Sequence, residues 1–297
     1  MTRFAATKTF AHFLTADNFA TVVGAPYKKK EALIMSNENP LLITRHGAVM
    51  SISINDAPIN RMSFAFIDAL EAAVEEAATD SSVRALLFTG EGEANFSVGM
   101  DLKEAMREVP ARGGWDTVLD QRLRVLARIE SLGKPSVATL FGYCLGGGLE
   151  LPLACHFRLA ADTGTQIGLP EMDLGTVPAW GGSVRLTRCI GRDNALDMVL
   201  RARRIDGHEA LRMGLVRSVH PVAELKAAAM ALAQELAEKA PLAVDGVLRC
   251  IVGADERTLD EGLREERKAF LHCAASKDQA EGARAFFEKR KPVFTGN

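Results

Sequence analysis

Gly142-Tyr143-Cys144-Leu145-Gly146-Gly147-Gly148-Leu149-Glu150 follows a short apolar run at 136–141 and opens onto the apolar stretch 149–154. A short, mostly apolar run of that length, bounded by glycine, reads as a strand. The glycines allow a sharp turn and close approach of the backbone to a ligand. If a helix starts there, its first N–H groups have no partner inside it and can face developing negative charge. No Lys-Ser/Thr follows the glycine run and the chain has no GxGxxG, so phosphoryl and hydride chemistry lose ground.

The same alternation continues on both sides. Upstream, runs at 41–44 and 49–54 flank His46-Gly47 as a hairpin, and 63–78 has helical spacing with Ser63 as its cap. A buried strand at 83–89 and a helix at 115–131 follow. Downstream, a helix at Leu149 leads to a strand at 157–160. Repeated strand, helix, strand units predict an α/β fold with parallel strands and right-handed crossovers. From about Asp206 the text turns almost entirely helical, with periodic segments at 224–239, 242–252, 256–273 and 278–289. Such helices must bury their stripes on the core or on another subunit, so an oligomer is expected. The expected division is an N-terminal extension of poor order at 1–37, a core carrying the site at 38–205, and a helical oligomerisation region at 206–297.

Composition narrows the function classes. The 297 residues carry 36 Lys+Arg against 38 Asp+Glu, a net charge of −2, which argues against a nucleic-acid partner despite basic clusters at 28–30 and 289–291. Five cysteines without CxxC spacing read as free thiols in a reducing compartment, so a cytoplasmic location is expected. Cys144 reads as a small buried hydrophobe. The six histidines show no metal-ligand spacing, and no metal site is expected. No apolar run approaches the roughly 20 residues that span a bilayer, so no membrane partner is expected. The first 34 residues are basic, faintly like a transit peptide. The preferred reading instead starts the protein at Met35, just ahead of the first strand.

Two further glycine-bearing runs stand out: Asn95-Phe96-Ser97-Val98-Gly99-Met100-Asp101-Leu102-Lys103, and Gly175-Thr176-Val177-Pro178-Ala179-Trp180-Gly181-Gly182-Ser183-Val184-Arg185-Leu186. Glu150 is anomalous among Leu149, Leu151 and Leu153. Its bland reading is a favourable charge at the positive end of a helix. Glu171, in Gly168-Leu169-Pro170-Glu171-Met172, reads blandly as a solvated loop residue. Together, two carboxyls in apolar settings could form a coupled pair, one protonated and one ionised near neutral pH.

The ordered set FSxGxDLKE, GYxLGGGxEL, GLPE and GxxPxxGG resembles the crotonase (enoyl-CoA hydratase/isomerase) family, and the similarity runs from about Leu41 to Phe294. The resemblance implies a spiral of repeated β-β-α units with a helical C-terminal region that builds trimers, often paired into hexamers. It implies hydration of a 2-enoyl-CoA, with no cofactor beyond the CoA carried by the substrate. The backbone N–H groups of Met100 and Gly147 would form the oxyanion hole, Glu150 would activate water and Glu171 would protonate the α-carbon. Pro58, Ile59, Val98, Asp101, Leu102, Gly146, Pro178, Ala179 and Trp180 would contact the acyl-CoA, and residues 104–124 would border the acyl end. The alternatives are a double-bond isomerase or another acyl-CoA activity of the family, or, in a different class, a crotonase-fold binding protein for RNA. Three departures from the family pattern are visible. The segment Asn55-Asp56-Ala57-Pro58-Ile59-Asn60 is one residue short and lacks its usual basic residue. Ala179 stands where glycine is usual, its amide being the one expected to help place the attacking water, with Trp180 narrowing or flooring the acyl pocket. One extra residue, near Gly164, separates the glutamates.

Overall fold

The computed structural model describes residues 39–297. The readings of the extension and of a start at Met35 lie outside the described residues. β1 (Leu41–His46) and β2 (Val49–Ile54) form the expected antiparallel hairpin, with Gly47 in the left-handed region at φ 62°. β2 then begins a parallel array. With β4 (Ala85–Gly90), β6 (Ser136–Leu140), β8 (Phe157–Ala161) and β10 (Ser218–His220) it forms one six-stranded sheet in the order β1-β2-β4-β6-β8-β10. β2, β4 and β6 are buried along their whole length, as strands covered on both faces are.

Each of the first four parallel strands is followed by a much shorter one. β3 (Arg61–Met62) pairs with β5 (Gly99–Met100), and β7 (Tyr143–Leu145) with β9 (Gln166–Gly168). A bridge between Ser97 and Cys144 joins the two pairs. Long strand, short strand and helix is thus the repeated β-β-α unit of the spiral. The short strands have two or three residues each, too few for a period of two to show in the text.

The helices cover this frame. α1 (Phe64–Thr79) is capped as expected, Ser63 Oγ accepting from Phe66 N at 3.0 Å, and buries Phe66, Ile67, Leu70 and Val74. α2 (Leu102–Glu108) follows β5, and α3 (Trp115–Glu130) packs beside α1. α4 (Gly147–Leu153), α5 (Gly182–Ile190), α6 (Arg192–Leu200) and α7 (Gly207–Arg212) surround the turns at the ends of the strands. α8 (Val222–Ala237) lays Leu225, Ala229 and Ala233, spaced by four, onto β4, β6 and β8. Residues 206–297 therefore do more than the helical text suggests. They supply β10 to the sheet edge and α8 to the core, and residues 39–297 form one compact unit. α9 (Pro241–Val252), α10 (Leu259–Ala274) and α11 (Lys277–Glu288) follow, leaving Leu259, Phe270, Phe286 and Phe287 exposed. Among the described residues no helix is long and apolar enough to cross a membrane.

Candidate active site

The sheet carries its glycine turns to one place. Ser97 N donates to Tyr143 O (2.9 Å) and Leu145 N to Ser97 O (3.1 Å), so the runs around Gly99 and Gly147 lie side by side. Ser97 is fixed in turn, its hydroxyl donating to Asn60 O (2.6 Å) and accepting from Gly99 N (3.0 Å). The contact needs glycine: a methyl on Gly99, at φ 88°, would sit 2.7 Å from Leu145 O and 3.0 Å from Gly147 N. Asp101 N bonds to Met62 O, so the ladder between β3 and β5 turns the N–H of Met100 to the opposite edge. Gly147 is the first residue of α4, where an N–H has no partner inside the helix. The two amides expected to work together thus belong to adjacent turns.

Glu150 follows one turn into α4 and is 2% exposed, which removes the bland reading of a charge at an exposed helix end. Its Oε1 accepts two backbone N–H groups, from Trp180 (2.7 Å) and Gly182 (2.9 Å). Gly182 must be glycine, since a methyl there would lie 2.8 Å from that same oxygen. Burial, and next the charge of Glu171, push the Glu150 carboxyl up to about 7, against the pull of the two amides and of Arg185. Arg185 braces this loop, donating to Trp180 O (3.0 Å) and, through Nη2, to Glu130 (2.9 Å).

Glu171 arrives from the other side. Gly146 N donates to Gly168 O (3.1 Å), tying β9 to the glycine turn, and a 3-10 turn at Pro170–Leu174 follows at once. Its Oε1 lies where it would be 2.9 Å from a methyl on Gly146, which itself has φ 55°. Its Oε2 is buried with no hydrogen-bond partner among the described residues, and burial pushes the carboxyl up to about 7. A buried polar atom without a partner is uncommon and costly.

A family model described as Enoyl-CoA hydratase/isomerase matches residues 44–297. A protein of Bacillus subtilis (strain 168) bearing the name probable enoyl-CoA hydratase is 37% identical over 251 residues, 84% of this chain and 95% of its own. The 2,3-dehydroadipyl-CoA hydratase of Escherichia coli (strain K12) is 35% identical over 258 residues, 86% of this chain and 98% of its own. Among solved structures, the enoyl-CoA hydratase of Bacillus anthracis matches with a TM-score of 0.82 at 33% identity, over 87% of this chain and 100% of that one. The chain belongs to the enoyl-CoA hydratase/isomerase family.

The other residues singled out in this member of the crotonase family fall around the same turns. Val98 N donates to Ile59 O (3.1 Å) and Asn95 Nδ2 to Pro58 O (2.8 Å), which brings the expected CoA segment against the first glycine run. Pro58 is exposed and Ile59 half-buried. A basic residue does stand nearby, Arg61, but Asp56 (2.7 Å) and Asp101 (3.2 Å) already hold it. Asp101 also caps α2, which begins at the half-buried Leu102. Pro178 is buried against Gly182, and Ala179 is half-buried. The amides that hold Glu150 are those of Trp180 and Gly182. Trp180 is buried with its indole against the Cα of Gly147. Among the described residues no group of three or more His, Cys, Asp or Glu side chains comes together as metal ligands. Cys144 is fully buried, which pushes its thiol well above the ordinary range, as a packed hydrophobe would be.

In the sequence, Gly182 and Arg185 appear in the third glycine-bearing run without a role of their own, and Arg122 is not singled out. Arg122 lies on α3, 1% exposed, with its guanidinium carbon 4.8 Å from the ring centres of both Trp180 and Phe64. A signal for it existed: Val118, Arg122, Val125, Leu126 and Ile129 follow one helical stripe, and an arginine on such a stripe is out of place.

Proposed function

We propose that this protein hydrates a 2-enoyl-CoA thioester to a 3-hydroxyacyl-CoA. The observation that carries the reading is the unequal treatment of two carboxyls around one glycine turn: Glu150 is held by two N–H donors, whereas Glu171 keeps a buried oxygen without a partner. Donors favour the anion, so in the coupled pair Glu150 takes the negative charge and Glu171 the proton. Glu150 then removes a proton from water as its oxygen bonds to C3. Glu171 delivers its proton to C2, and the charge that builds on the thioester oxygen meets the N–H groups of Met100 and Gly147. Paired acid and base supply typically 10²–10⁴-fold, and each amide of such a hole about 10²–10³-fold. The exposed aromatic and aliphatic side chains of α10 and α11 support assembly into a homo-oligomer, a trimer or hexamer.

The test is the loss of conjugated enoyl absorbance when purified protein meets crotonyl-CoA and longer or aromatic 2-enoyl thioesters, with product analysis to separate hydration from double-bond migration. Hydration is expected, with a drop of at least about 10²-fold in Glu150→Gln and in Glu171→Gln at unchanged circular dichroism. Wild-type rates in either variant would remove that residue from the mechanism. Absence of hydration on every thioester would sink the proposal.

A further inference from the structure

Arg122 is a charge in a setting that does not account for it. Its side chain is buried between two aromatic rings, its Nη1 donates to Val118 O (3.3 Å), and its Nε has no hydrogen-bond partner. Among the described residues no carboxylate pairs with it. The acids nearest in its field are otherwise engaged: Asp68 with Arg112 and Gln121, and Glu104 with the N–H of Phe64. Buried arginines are ordinarily paired, because an unpaired charge away from water is costly.

Its neighbours tie it to the acyl end of the site. Trp180, whose indole it faces, lies against the Cα of Gly147 and gives its N–H to Glu150. Phe64, the other ring, belongs to a small apolar cluster with Ala105, Val109 and Val118, against which Met100 packs. The guanidinium therefore lies within one indole's breadth of the turn that would hold the thioester oxygen, beyond apolar walls of Met100, Phe64 and Trp180.

Resting on the hydratase reading, we propose that Arg122 recognises a carboxylate at the distal end of the acyl group, so that the preferred substrates are CoA monothioesters of short unsaturated dicarboxylic acids. The free Nε–H and the adjacent Nη–H form the planar fork that a carboxylate fills with two parallel hydrogen bonds. Aromatic faces on either side hold the fork in plane. A substrate methyl group at the same place would leave the buried charge uncompensated, so an unsubstituted acyl chain of equal length is rejected.

The experiment measures binding, which does not depend on turnover. Dissociation constants for the saturated pairs succinyl-/butyryl-, glutaryl-/pentanoyl-, adipoyl-/hexanoyl- and suberoyl-/octanoyl-CoA are determined by calorimetry with the full chain and with Arg122→Met and Arg122→Lys. For at least one length the wild type binds the carboxylate ligand ten-fold or more tighter than its unsubstituted partner. Arg122→Met reduces that ratio to about one or inverts it, and Arg122→Lys retains part of it. A ratio at or below one at every length in the wild type, or a preference unaltered in a folded Arg122→Met protein, overturns the proposal. Thermal unfolding establishes folding of each variant, and Arg122→Lys, which keeps the charge, carries the test if Arg122→Met fails to fold. Should the carboxylate preference hold while no 2-enoyl thioester is hydrated, the hydratase reading fails and the binding assignment stands.

Discussion

Glu150 and Glu171 face the same turn but differ in what touches them, and their titration makes that difference measurable. Both are pushed up to about 7, chiefly by burial. On the proposed roles, the ionised base is lost as pH falls below that region and the protonated acid as pH rises above it. The profile of kcat/KM against pH is therefore expected to be a bell centred near neutrality, with limbs that belong to the pair jointly. A flat profile from pH 5 to 9 would contradict the coupled pair. Stability follows with its own sign. The folded pKa of Glu150 is raised, so between the ordinary value of 4.5 and about 7 the folded state holds a proton that the unfolded chain has released. Stability then falls as pH rises through that window. Tm of Glu150→Gln minus Tm of the wild type should increase from pH 4.5 to 7 and level off above it. At this scale the sequence was informative about oddity but not about partners. Glu150 stood out because its neighbours are apolar, whereas its amide donors come from residues 30 and 32 positions later, set by a loop whose path has no period to read.

At the scale of the elements, helix starts and strand ends make the site, and close packing makes them intolerant. A methyl on Gly147 would collide with the Trp180 ring, whose own backbone holds Glu150. Gly147→Ala keeps the N–H yet must displace the indole, and a shift of about 1 Å at a catalytic group can cost about 10²-fold. A fall in kcat/KM of that order is expected, with partial recovery in Gly147→Ala/Trp180→Ala measured as a double-mutant cycle. Strict additivity would show that the two sites are not coupled through this contact. Legibility followed length. The long strands, the capped helix α1 and the helices from α8 onward could be read from periodicity. β3, β5, β7, β9 and β10, and the short helices α6 and α7, are too brief to show a period, although β3 and β5 orient Met100.

For the whole molecule, the outer surface of the C-terminal helices is the open feature. Phe286 and Phe287 are 78% and 81% exposed, with Leu259 and Phe270 also uncovered, an unusual concentration of large apolar side chains. Sedimentation of the full chain should give a trimer or hexamer, and Phe286→Ser/Phe287→Ser should shift the distribution toward smaller species. A wild-type monomer at micromolar concentration would refute the assembly. Helical stripes in the text announced that these segments need a partner. They could not divide the work between α8, which turns Ala229 and Ala233 onto the sheet, and α11, which faces outward, because a stripe gives the apolar side of a helix and not what lies opposite.

The order of the main sheet follows the order of the chain, β1 to β10. Each new strand has its edge waiting when the ribosome releases it, so the sheet can lengthen from one side during synthesis without long searches for a partner. The cover over β4, β6 and β8 is different, for it comes from α8 and exists only after residue 237 has emerged. Until then the nascent protein carries an unshielded sheet face, and that interval is when it most needs a chaperone.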